Sequence, residues 1–530
     1  MCTAPQTIFD LNKTTPSKPD ITSPSATSAE IELKLALPGA DPKTIGEQLA
    51  ALPLLAALPV TQQKLRNIYF DTPAQHLRQA RAVLRLRSQR QDGGKVHWLQ
   101  ALKTEDSSAG GLSQRGEWEA TVREGKLDPV VLQGTPWPTL DADGTLLPQL
   151  APCFETDATR TLRLFTGDDG SRIEVVLDVG AIRAGDERAE LCELELELLK
   201  GAPDALFALA DHIASHLPVL PDPVSKAERA WRLVDGTTRA PRRARKLELA
   251  ENTPVLLAAQ TVLGEMLGQF IENLSGIVRA DGPELVHQAR VGWRRWRSAL
   301  WLFKPLLADA HPAPDSAGLR PLLNALGAMR DLDVAALESL PQWADAYIGG
   351  TDEAARERAQ EWQTMEAAVT AERRIRRAGL LAALGATGTG QALLGLERWL
   401  HALPQAAWTP ELAERSIGDW AAGRTKRLHA RLAAEIEEME AADLDTEEGI
   451  EHQHNVRLLA KRTRYVLEAL RTVLPKERTR RWQEQATELQ TSIGAARDLM
   501  LLATLLEPLG IDRGILGFLR GVAAGRMAEA

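Results

Sequence analysis

The spacing of apolar residues changes once along this chain, near residue 247. Before that point, polar and apolar residues alternate in short runs separated by Gly, Asp and Pro, as in the strands of an antiparallel sheet or barrel. These runs are EIELKL (Glu30–Leu35), VLRLR (Val83–Arg87), GEWEATV (Gly116–Val122), RIEVVLDV (Arg172–Val179) and CELELEL (Cys192–Leu198). After it, Ala, Leu, Arg and Glu recur at helical spacing. The change predicts an α+β chain in which a β domain precedes an all-helical domain.

The same patterns predict the domain boundaries. Residues 1–28 are rich in Ser, Thr and Pro and offer little to bury, so we expect a disordered leader. Residues 29–234 form the predicted β domain, with helical stretches near residues 42–52 and 202–216. Residues 235–246 (DGTTRAPRRARK) are polar and basic and are predicted to be a linker. Residues 247–530 form the predicted helical domain.

Composition excludes several classes of protein. Hydrophobic residues make up 44% and charged residues 25%, and no apolar run approaches the ~18–20 residues that span a bilayer, so we expect a soluble protein without a membrane partner. Three cysteines without metal-ligand spacing, Cys2, Cys153 and Cys192, and an N-terminus without a secretory pattern predict a cytoplasmic location. The net charge of -9 argues against a general nucleic-acid binder but is compatible with a local basic surface.

Charged residues share one face of each predicted strand. Because residues two apart in a strand point the same way, Glu30, Glu32 and Lys34 lie opposite Ile31 and Leu33. A solvated face is the ordinary explanation for one such strand. Five strands carrying nearly pure carboxylate or Arg favour a closed sheet with these faces inward, where acids would hold hard divalent cations and bases would hold phosphate oxygens.

An ordered series of motifs in residues 29–234 resembles the CYTH domain of the triphosphate tunnel metalloenzymes. EIELKL resembles the family's ExExK signature, and YFDT, LRLR, LQALK, RGEWE, FETD, LDVG, ELELEL and SKAERAW follow in the family's order. The resemblance implies an eight-stranded antiparallel β tunnel that hydrolyses a triphosphate with Mg²⁺ or Mn²⁺.

Site residues follow from this resemblance position by position. The implied metal ligands are Glu30, Glu32, Glu193 and Glu195. The implied phosphate-binding residues are Lys34, Arg85, Arg87, Lys103, Arg160 and Lys226. Glu117, Glu119, Asp178 and Glu197 also match acidic family positions, for either metal binding or water activation. The predicted catalytic set is Glu30, Glu32, Lys34, Glu117, Glu119 and Asp178.

The helical half repeats itself at an offset of 167 residues. His287, Arg290, Arg294, Arg295, Arg297, Gly327, Arg330 and Asp331 recur as His454, Arg457, Lys461, Arg462, Arg464, Gly494, Arg497 and Asp498. Eight matches at one offset predict a tandem duplication of a helical unit.

Each copy contains a basic ridge. At 100° per residue, His287, Arg290, Arg294 and Arg297 occupy a stripe about 80° wide, and Trp293 and Trp296 lie on the opposite, apolar side. His454, Arg457, Lys461 and Arg464 take the same angles in the second copy. A solvated helix face is the alternative, but repulsion between close cations favours a bound anion. The clusters RRIRR (Arg373–Arg377) and RTKRLHAR (Arg424–Arg431) either extend this surface or are merely solvated.

The two ridge helices, HQARVGWRRWRSAL and HNVRLLAKRTRYVL, resemble the signature helices of the CHAD domain, and LGAMRDLDV and IGAARDLML resemble the segments that follow them. This resemblance implies two similar helical bundles around a basic pocket that binds long-chain inorganic polyphosphate through both ridges. Polyphosphate granules in the cytoplasm are then one place where the protein could reside. The tryptophans that face the core leave no exposed aromatics for base stacking, so nucleic acid is not an expected partner.

Three functions are compatible with these features. The leading hypothesis is a metal-dependent inorganic triphosphatase that hydrolyses tripolyphosphate and binds polyphosphate on its helical domain. The first alternative is a non-catalytic polyphosphate-binding adaptor. The second is adenylate cyclase or thiamine triphosphatase activity in the same tunnel.

Overall fold

The computed structural model describes residues 30–91, 94–109, 112–123, 125–307, 311–406, 408–442, 446–492 and 495–529. The predicted leader, residues 1–28, lies outside this range, and so does Cys2. Cys153 and Cys192 are free and half-buried. Within the described residues, no single helix is both long and apolar enough to cross a membrane, and one bent pair, 353–384 with 387–405, meets the criteria of length and composition.

In the described part of the N-terminal domain, nine antiparallel strands build the sheet. They are β1 (Glu30–Ala36), β2 (Thr61–Asp71), β3 (Ala82–Gln91), β4 (His97–Ala109), β5 (Leu112–Val122), β6 (Ala151–Thr166), β7 (Arg172–Ala184), β8 (Glu187–Lys200) and β9 (Leu220–Pro221). Their order is β5-β4-β3-β2-β6-β7-β8-β1-β9, and an additional β5–β1 pairing closes the first eight into a barrel. The prediction of an eight-stranded antiparallel tunnel is therefore confirmed, and β9 adds two residues beside β1.

The helices of this domain are α1 (Ile45–Ala50), α2 (His76–Gln79), α3 (Pro129–Leu132), α4 (Trp137–Leu140), α5 (Asp204–Ala214) and α6 (Lys226–Val234). Where α1 and α5 cover it, the outward face of the barrel is apolar. Leu33, Val175 and Leu196 of the strands pack there against Leu49 and Phe207. The charged faces of the strands are left to line the interior, as their alternation predicts.

The second domain is helical throughout its described residues. Its helices are α7 (Val255–Arg279), α8 (Pro283–Leu307), α9 (Arg320–Val334), α10 (Ala344–Ile348), α11 (Glu353–Leu384), α12 (Thr387–Ala402), α13 (Pro410–Glu414), α14 (Ile417–Ala441), α15 (Glu447–Ala469), α16 (Lys476–Ser492), α17 (Ala495–Leu506) and α18 (Arg513–Glu529). The predicted apolar side of the first ridge helix is confirmed, since Trp293 is 8% and Trp296 0% exposed. In each copy the ridge helix follows a 25-residue helix, α7 before α8 and α14 before α15.

The two domains interlock through their cores. Leu220 of β9 packs in the main core of the helical domain, and Leu394 of α12 packs in the core outside the barrel. A β-carbon on Gly390 of α12 would lie 2.2 Å from the Val219 carbonyl oxygen, so α12 touches the β domain's backbone. Part of the predicted linker is also docked, because Arg242 forms ion pairs with Glu265 and Glu272 of α7.

Candidate functional site

The barrel brings all the predicted tunnel residues to one interior. Register pairs such as Lys34 opposite Glu195, Lys103 opposite Glu117, and Arg160 opposite Asp178 place them on the same face of neighbouring strands. The residues on this face are Glu30, Glu32, Lys34, Arg85, Arg87, Lys103, Glu117, Glu119, Arg160, Asp178, Glu193 and Glu195. Lys226 joins them from the first turn of α6, which Ser225 caps by accepting a hydrogen bond from the Glu228 N–H.

Three carboxylates on one side of the tunnel are neutralised by cations. Lys226 Nζ lies 3.0 Å from an oxygen of Asp178 and 3.0 Å from one of Glu195, and it also pairs with Glu193. Arg160 contacts Asp178 at 2.7 Å and Glu195 at 3.4 Å. Burial alone would raise the pKa of Asp178, but Lys226 and Arg160 hold it below its ordinary value. Asp178 is therefore ionised, and its charge is already compensated.

A second set of ion pairs connects β1 with β3, β4 and β5. Lys103 Nζ lies 2.8 Å from Glu30 and 2.9 Å from Glu117, and Arg85 donates to Glu117 at 3.1 Å. Although burial opposes it, Lys103 and Arg85 lower the pKa of Glu117 well below its ordinary value. Lys34 pairs with Glu32 of its own strand. Glu117 and Asp178 thus hold Lys103, Arg85, Arg160 and Lys226, all predicted phosphate-binding residues, in place.

Glu197 marks a concentration of negative charge in the tunnel. It lies opposite Glu32 of β1 and opposite Glu174 of β7. Burial, followed by Glu30 and Glu174, raises the pKa of Glu197 to about 7, against a weaker opposing effect of Lys103. The sequence placed Glu197 among the acidic positions without naming it a metal ligand. The feature of the sequence that could have indicated this role is that Glu197 shares one face of a strand with Glu193 and Glu195.

Arg87 marks the opposite concentration, of positive charge. Burial, followed by Arg85 and Arg160, lowers the pKa of Arg87 to about 10. Arg87 donates to Asn67 at 2.9 Å and lies 3.9 Å from Glu119. The tunnel therefore has an acidic region around Glu197 and a basic region around Arg87.

Among the described residues, two groups have ligand atoms close enough to share a cation: Glu435, Glu438 and His452 of the helical domain, and Asp178, Glu193 and Glu195 of the tunnel. Oxygens of Asp178, Glu193 and Glu195 lie within 4.8 Å of one another, but this group already surrounds Lys226. Around Glu197, Glu32 lies opposite in the register of β1 and β8 and Glu30 acts on the charge of Glu197, while Glu32 and Glu30 also pair with Lys34 and Lys103. Hard cations prefer carboxylate oxygens, and the raised pKa of Glu197 favours added positive charge there, so this region of the tunnel fits Mg²⁺ or Mn²⁺.

In the helical domain, the first ridge lies beside α9. Burial, then Arg330 and Arg294, lowers the pKa of His287, so these cations are close together. Arg330 also pairs with Glu338 at 2.8 Å. A β-carbon on Gly327 would lie 2.8 Å from the Arg290 guanidinium, so this repeated glycine leaves room for the arginine.

Arg297 differs from the other first-ridge residues. It is exposed, and it lies close to Arg462, because burial, then Arg431 and Arg297, lowers the pKa of Arg462. Arg462 and Arg424 stack on Trp301 at 4.7 and 4.5 Å from its ring. Arg297 thus contributes to a second basic patch between α8, α14 and α15.

The second ridge is buried to the same extent as the first, with three half-buried residues and one exposed residue in each. His454 is exposed, Arg457 and Lys461 are half-buried, and Arg464 stacks on Tyr465 at 5.0 Å. The second-copy positions Gly494, Arg497 and Asp498 lie outside the residues whose side chains the structure describes.

Two repeated arginines have diverged between the copies. Arg295 is 1% exposed and donates to Gln269 at 2.5 Å and to Glu468 at 3.4 Å, so it connects the first ridge helix to the second. Its counterpart Arg462 lies in the second basic patch.

The RRIRR cluster does not extend the anion-binding surface as a whole. Arg373 pairs with Asp333 at 2.7 Å and with Asp281 at 3.0 Å. Arg377 donates to the carbonyl oxygens of Ile277 and Ala280. These two arginines connect α11 to the end of α7 and to α9. The sequence analysis expected them either to extend the basic surface or to be solvated, and they do neither.

Comparison with known proteins agrees with both resemblances. The chain matches the CYTH domain over residues 28–231 and the CHAD domain over residues 261–507. An inorganic triphosphatase of Haemophilus influenzae is 31% identical over 210 residues, which cover 38% of this chain and 54% of that protein. The chain thus spans about half the length of this curated relative.

Two solved structures each match one part of the chain. The CHAD domain of the plant Ricinus communis has 25% identity and a TM-score of 0.45 and covers 55% of this chain and 92% of its own. A candidate adenylyl cyclase from Hippeastrum, described as having a dominant triphosphatase activity, has 19% identity and a TM-score of 0.28 and covers 38% of this chain and 95% of its own. By its family matches, this chain is a CYTH–CHAD protein, with the CYTH domain first and the CHAD domain after it.

Proposed function

We propose that this protein is a metal-dependent inorganic triphosphatase that hydrolyses tripolyphosphate in its tunnel and binds long-chain polyphosphate on its helical domain. The observation that supports the reaction most strongly is the separation of charge inside the tunnel, between Glu197 and Arg87. In a metal-bound triphosphate, the metal cation complements the acidic region around Glu197, and the phosphate oxygens complement the basic region around Arg87. The name of the Haemophilus influenzae relative agrees with this substrate class.

The cationic residues of the tunnel would bind the phosphate chain, and the carboxylates would hold those cations in position. Arg85, Arg87 and Arg160 would bind the oxygens of the phosphate chain, for which guanidinium groups are suited because they form paired hydrogen bonds. Lys34, Lys103 and Lys226 would exchange part of their contact with carboxylates for contact with phosphate. The carboxylates that hold these cations before substrate arrives keep them oriented, so little reorganisation is needed on binding.

Glu30, Glu32 and Glu197 would hold the divalent cation. When bound, Mg²⁺ or Mn²⁺ supplies charge neutralisation for the phosphate chain and orientation for the attacking water. Glu197 must lose its proton to act as a ligand, and the approach of positive charge favours that loss.

The experiment is phosphate release from tripolyphosphate with Mg²⁺, with Mn²⁺ and with EDTA, and in parallel from ATP and thiamine triphosphate. We expect turnover that EDTA abolishes and that Glu32→Gln weakens at limiting metal. Glu155→Gln is the matched control, because Glu155 pairs with Arg66 on the outside of the same barrel, 34% exposed. Binding of tripolyphosphate without turnover in either metal would instead support the adaptor, and faster turnover of ATP or thiamine triphosphate would reject the proposed substrate.

Polyphosphate binding on the helical domain has separate support. The close cations of the first ridge and the second basic patch both raise the local positive potential of a chain whose net charge is negative. A polyanion would relieve the repulsion within each cluster and release counterions, so its affinity should fall steeply with added salt.

A further inference from the structure

The helical domain contacts the segment that supports the tunnel's lysines. Asp222 follows β9 directly and is 2% exposed, and its N–H donates to the carbonyl oxygen of Lys34 at 2.9 Å. Arg279, the last residue of α7, pairs with the Asp222 carboxylate. A residue of the helical domain therefore neutralises a buried charge that adjoins the backbone of a predicted phosphate-binding lysine.

Arg229 of α6 lies between this pair and the tunnel. Its guanidinium donates to Glu193 at 2.8 Å and to the Glu190 carbonyl oxygen at 2.7 Å. Asp222 and Arg279 both act on its charge, so both are close to it. Arg229 thus has two carboxylates near it, Glu193 and Asp222, and it binds Glu193 while Arg279 binds Asp222.

The same arrangement fixes Lys226. Glu193 pairs with both Arg229 and Lys226, which lie one turn apart on α6. Helix α6 is also fastened to α7 by Arg232, which contacts Glu272 at 2.5 Å. The position of α6, and with it the Lys226 ammonium, therefore depends on one ion pair between α6 and the helical domain and on the Arg279–Asp222 pair in the segment before α6.

We propose that Arg279 is a positioning residue for the tunnel: by neutralising Asp222 it keeps Arg229 on Glu193 and so leaves Lys226 available to the substrate's phosphate oxygens. This inference rests on the proposed triphosphatase function. Without Arg279, the buried Asp222 carboxylate would require another cation and would draw Arg229 away from Glu193. Glu193 would then bind Lys226 more strongly and add uncompensated negative charge to the tunnel, and both effects weaken the binding of a polyanion.

The experiment compares full-length variants in steady-state hydrolysis of tripolyphosphate and in thermal unfolding. Arg279→Ala should raise KM about 10-fold or more, with a smaller change in kcat, as expected for the loss of one charge-assisted contact. Arg279→Lys should retain most of the wild-type KM. Adding Asp222→Asn to Arg279→Ala should restore most of it, because no unpaired carboxylate then competes for Arg229.

The matched control is Arg398→Ala. Arg398 forms another ion pair between the domains, with Asp204 at 2.6 Å, but this pair is exposed and lies between α12 and α5. It should leave KM unchanged. If Arg279→Ala does not fold, Arg279→Gln with and without Asp222→Asn makes the same comparison.

Two results would overturn the proposal: a wild-type KM in the folded Arg279→Ala protein, or a raised KM that Asp222→Asn does not lower. The second result would indicate a loosened interface rather than competition for Arg229. If wild-type protein hydrolyses no tripolyphosphate, the triphosphatase proposal fails by itself. The affinity of the same variants for tripolyphosphate, measured by calorimetry in EDTA, then decides the role of Arg279.

Discussion

Lys34 and Lys226 approach the same oxygen of Glu195 from two different elements, at 3.9 Å from β1 and 3.0 Å from α6. Burial alone would raise the pKa of Glu195, but Lys226, Lys34 and Arg160 together hold it well below its ordinary value. Glu195 is thus surrounded by the cations that we expect to bind phosphate. This geometry separates its role from that of Glu32, although the sequence assigns both to the metal.

We predict that Glu32→Gln and Glu195→Gln impair hydrolysis in different ways. Glu32→Gln should raise the Mg²⁺ or Mn²⁺ concentration for half-maximal activity by at least ~10-fold, since a cation ligand is lost. Glu195→Gln should mainly change KM for tripolyphosphate, because it frees Lys34 and Lys226. Metal titrations at saturating tripolyphosphate measure the first effect. If both variants raise the metal concentration for half-maximal activity equally, Glu195 is also a metal ligand.

The stability of the metal-free protein should fall as pH rises from about 4.5 to about 7. The pKa of Glu197 is raised from an ordinary value of 4.5 to about 7, so over this window the folded chain keeps a proton that the unfolded chain releases. The loss should be roughly 1–3 kcal/mol and should level off above pH 7. Urea unfolding in EDTA at pH 5, 6, 7 and 8 tests this, with Glu197→Gln as the comparison. The same pH dependence in both proteins would assign it to other groups.

Charge reversal of the first ridge should weaken polyphosphate binding strongly. Arg290→Glu with Arg294→Glu removes two charge-assisted hydrogen bonds and adds repulsion, so we expect a loss of at least ~100-fold in affinity. Arg356→Glu with Arg374→Glu is the matched control, because both residues are exposed on α11 of the same domain. Calorimetry with long-chain polyphosphate at two salt concentrations measures both. An equal loss of polyphosphate affinity in the two double variants would show that the domain attracts the polyanion by its overall charge and not through the ridge.

Cleavage between the domains should leave them associated. Residues 236–240 are exposed and can accept an engineered protease site, whereas Arg242 is already docked on α7. Separation would expose Leu220 and Leu394, each of which is buried in the other domain's core. After cleavage, we expect both fragments in one peak on size exclusion without denaturant. Two peaks would show that the interface is weaker than its packing suggests.

Gly390→Ala should destabilise the protein by about 1–3 kcal/mol, because its added methyl group would meet the Val219 carbonyl oxygen at 2.2 Å. Gly395→Ala on the same helix is the control, since a β-carbon there meets nothing within 4 Å. That change should be neutral or stabilising by about 0.5–1 kcal/mol. Thermal unfolding of the two variants compares them directly, and similar midpoints would argue against a tight contact at Gly390.

Strand alternation was enough to predict which residues face the tunnel, because one face of each closed strand must point inward. It could not predict which charged residue lies next to each carboxylate. Glu193 and Glu197 have the same parity on β8, yet Glu193 meets Lys226 from α6 and Glu197 meets Glu30 and Glu174. That difference depends on which strands become neighbours and where α6 docks, which are properties of the tertiary structure.

The helical repeat shows the same limit. Its fixed offset predicted two equivalent helices, and α8 and α15 do carry the repeated residues. Equivalent positions nevertheless diverge, since Arg295 is buried against Glu468 while Arg462 stacks on Trp301. The basic run at Arg373 resembled a solvated surface because its acidic partners, in α9 and before α8, are distant in sequence.

The barrel keeps its stabilising residues and its reactive residues on opposite sides of the same strands. An inward substitution, such as one at Glu119 on β5, changes the chemistry without removing any of the apolar packing that surrounds the wall. Because every second residue of a strand faces inward, substitutions at these positions could alter the charge of the interior one residue at a time. The proposed preferences for metal and for phosphate chain length could change in the same way. The wall would keep the apolar packing of its outer face through such trials.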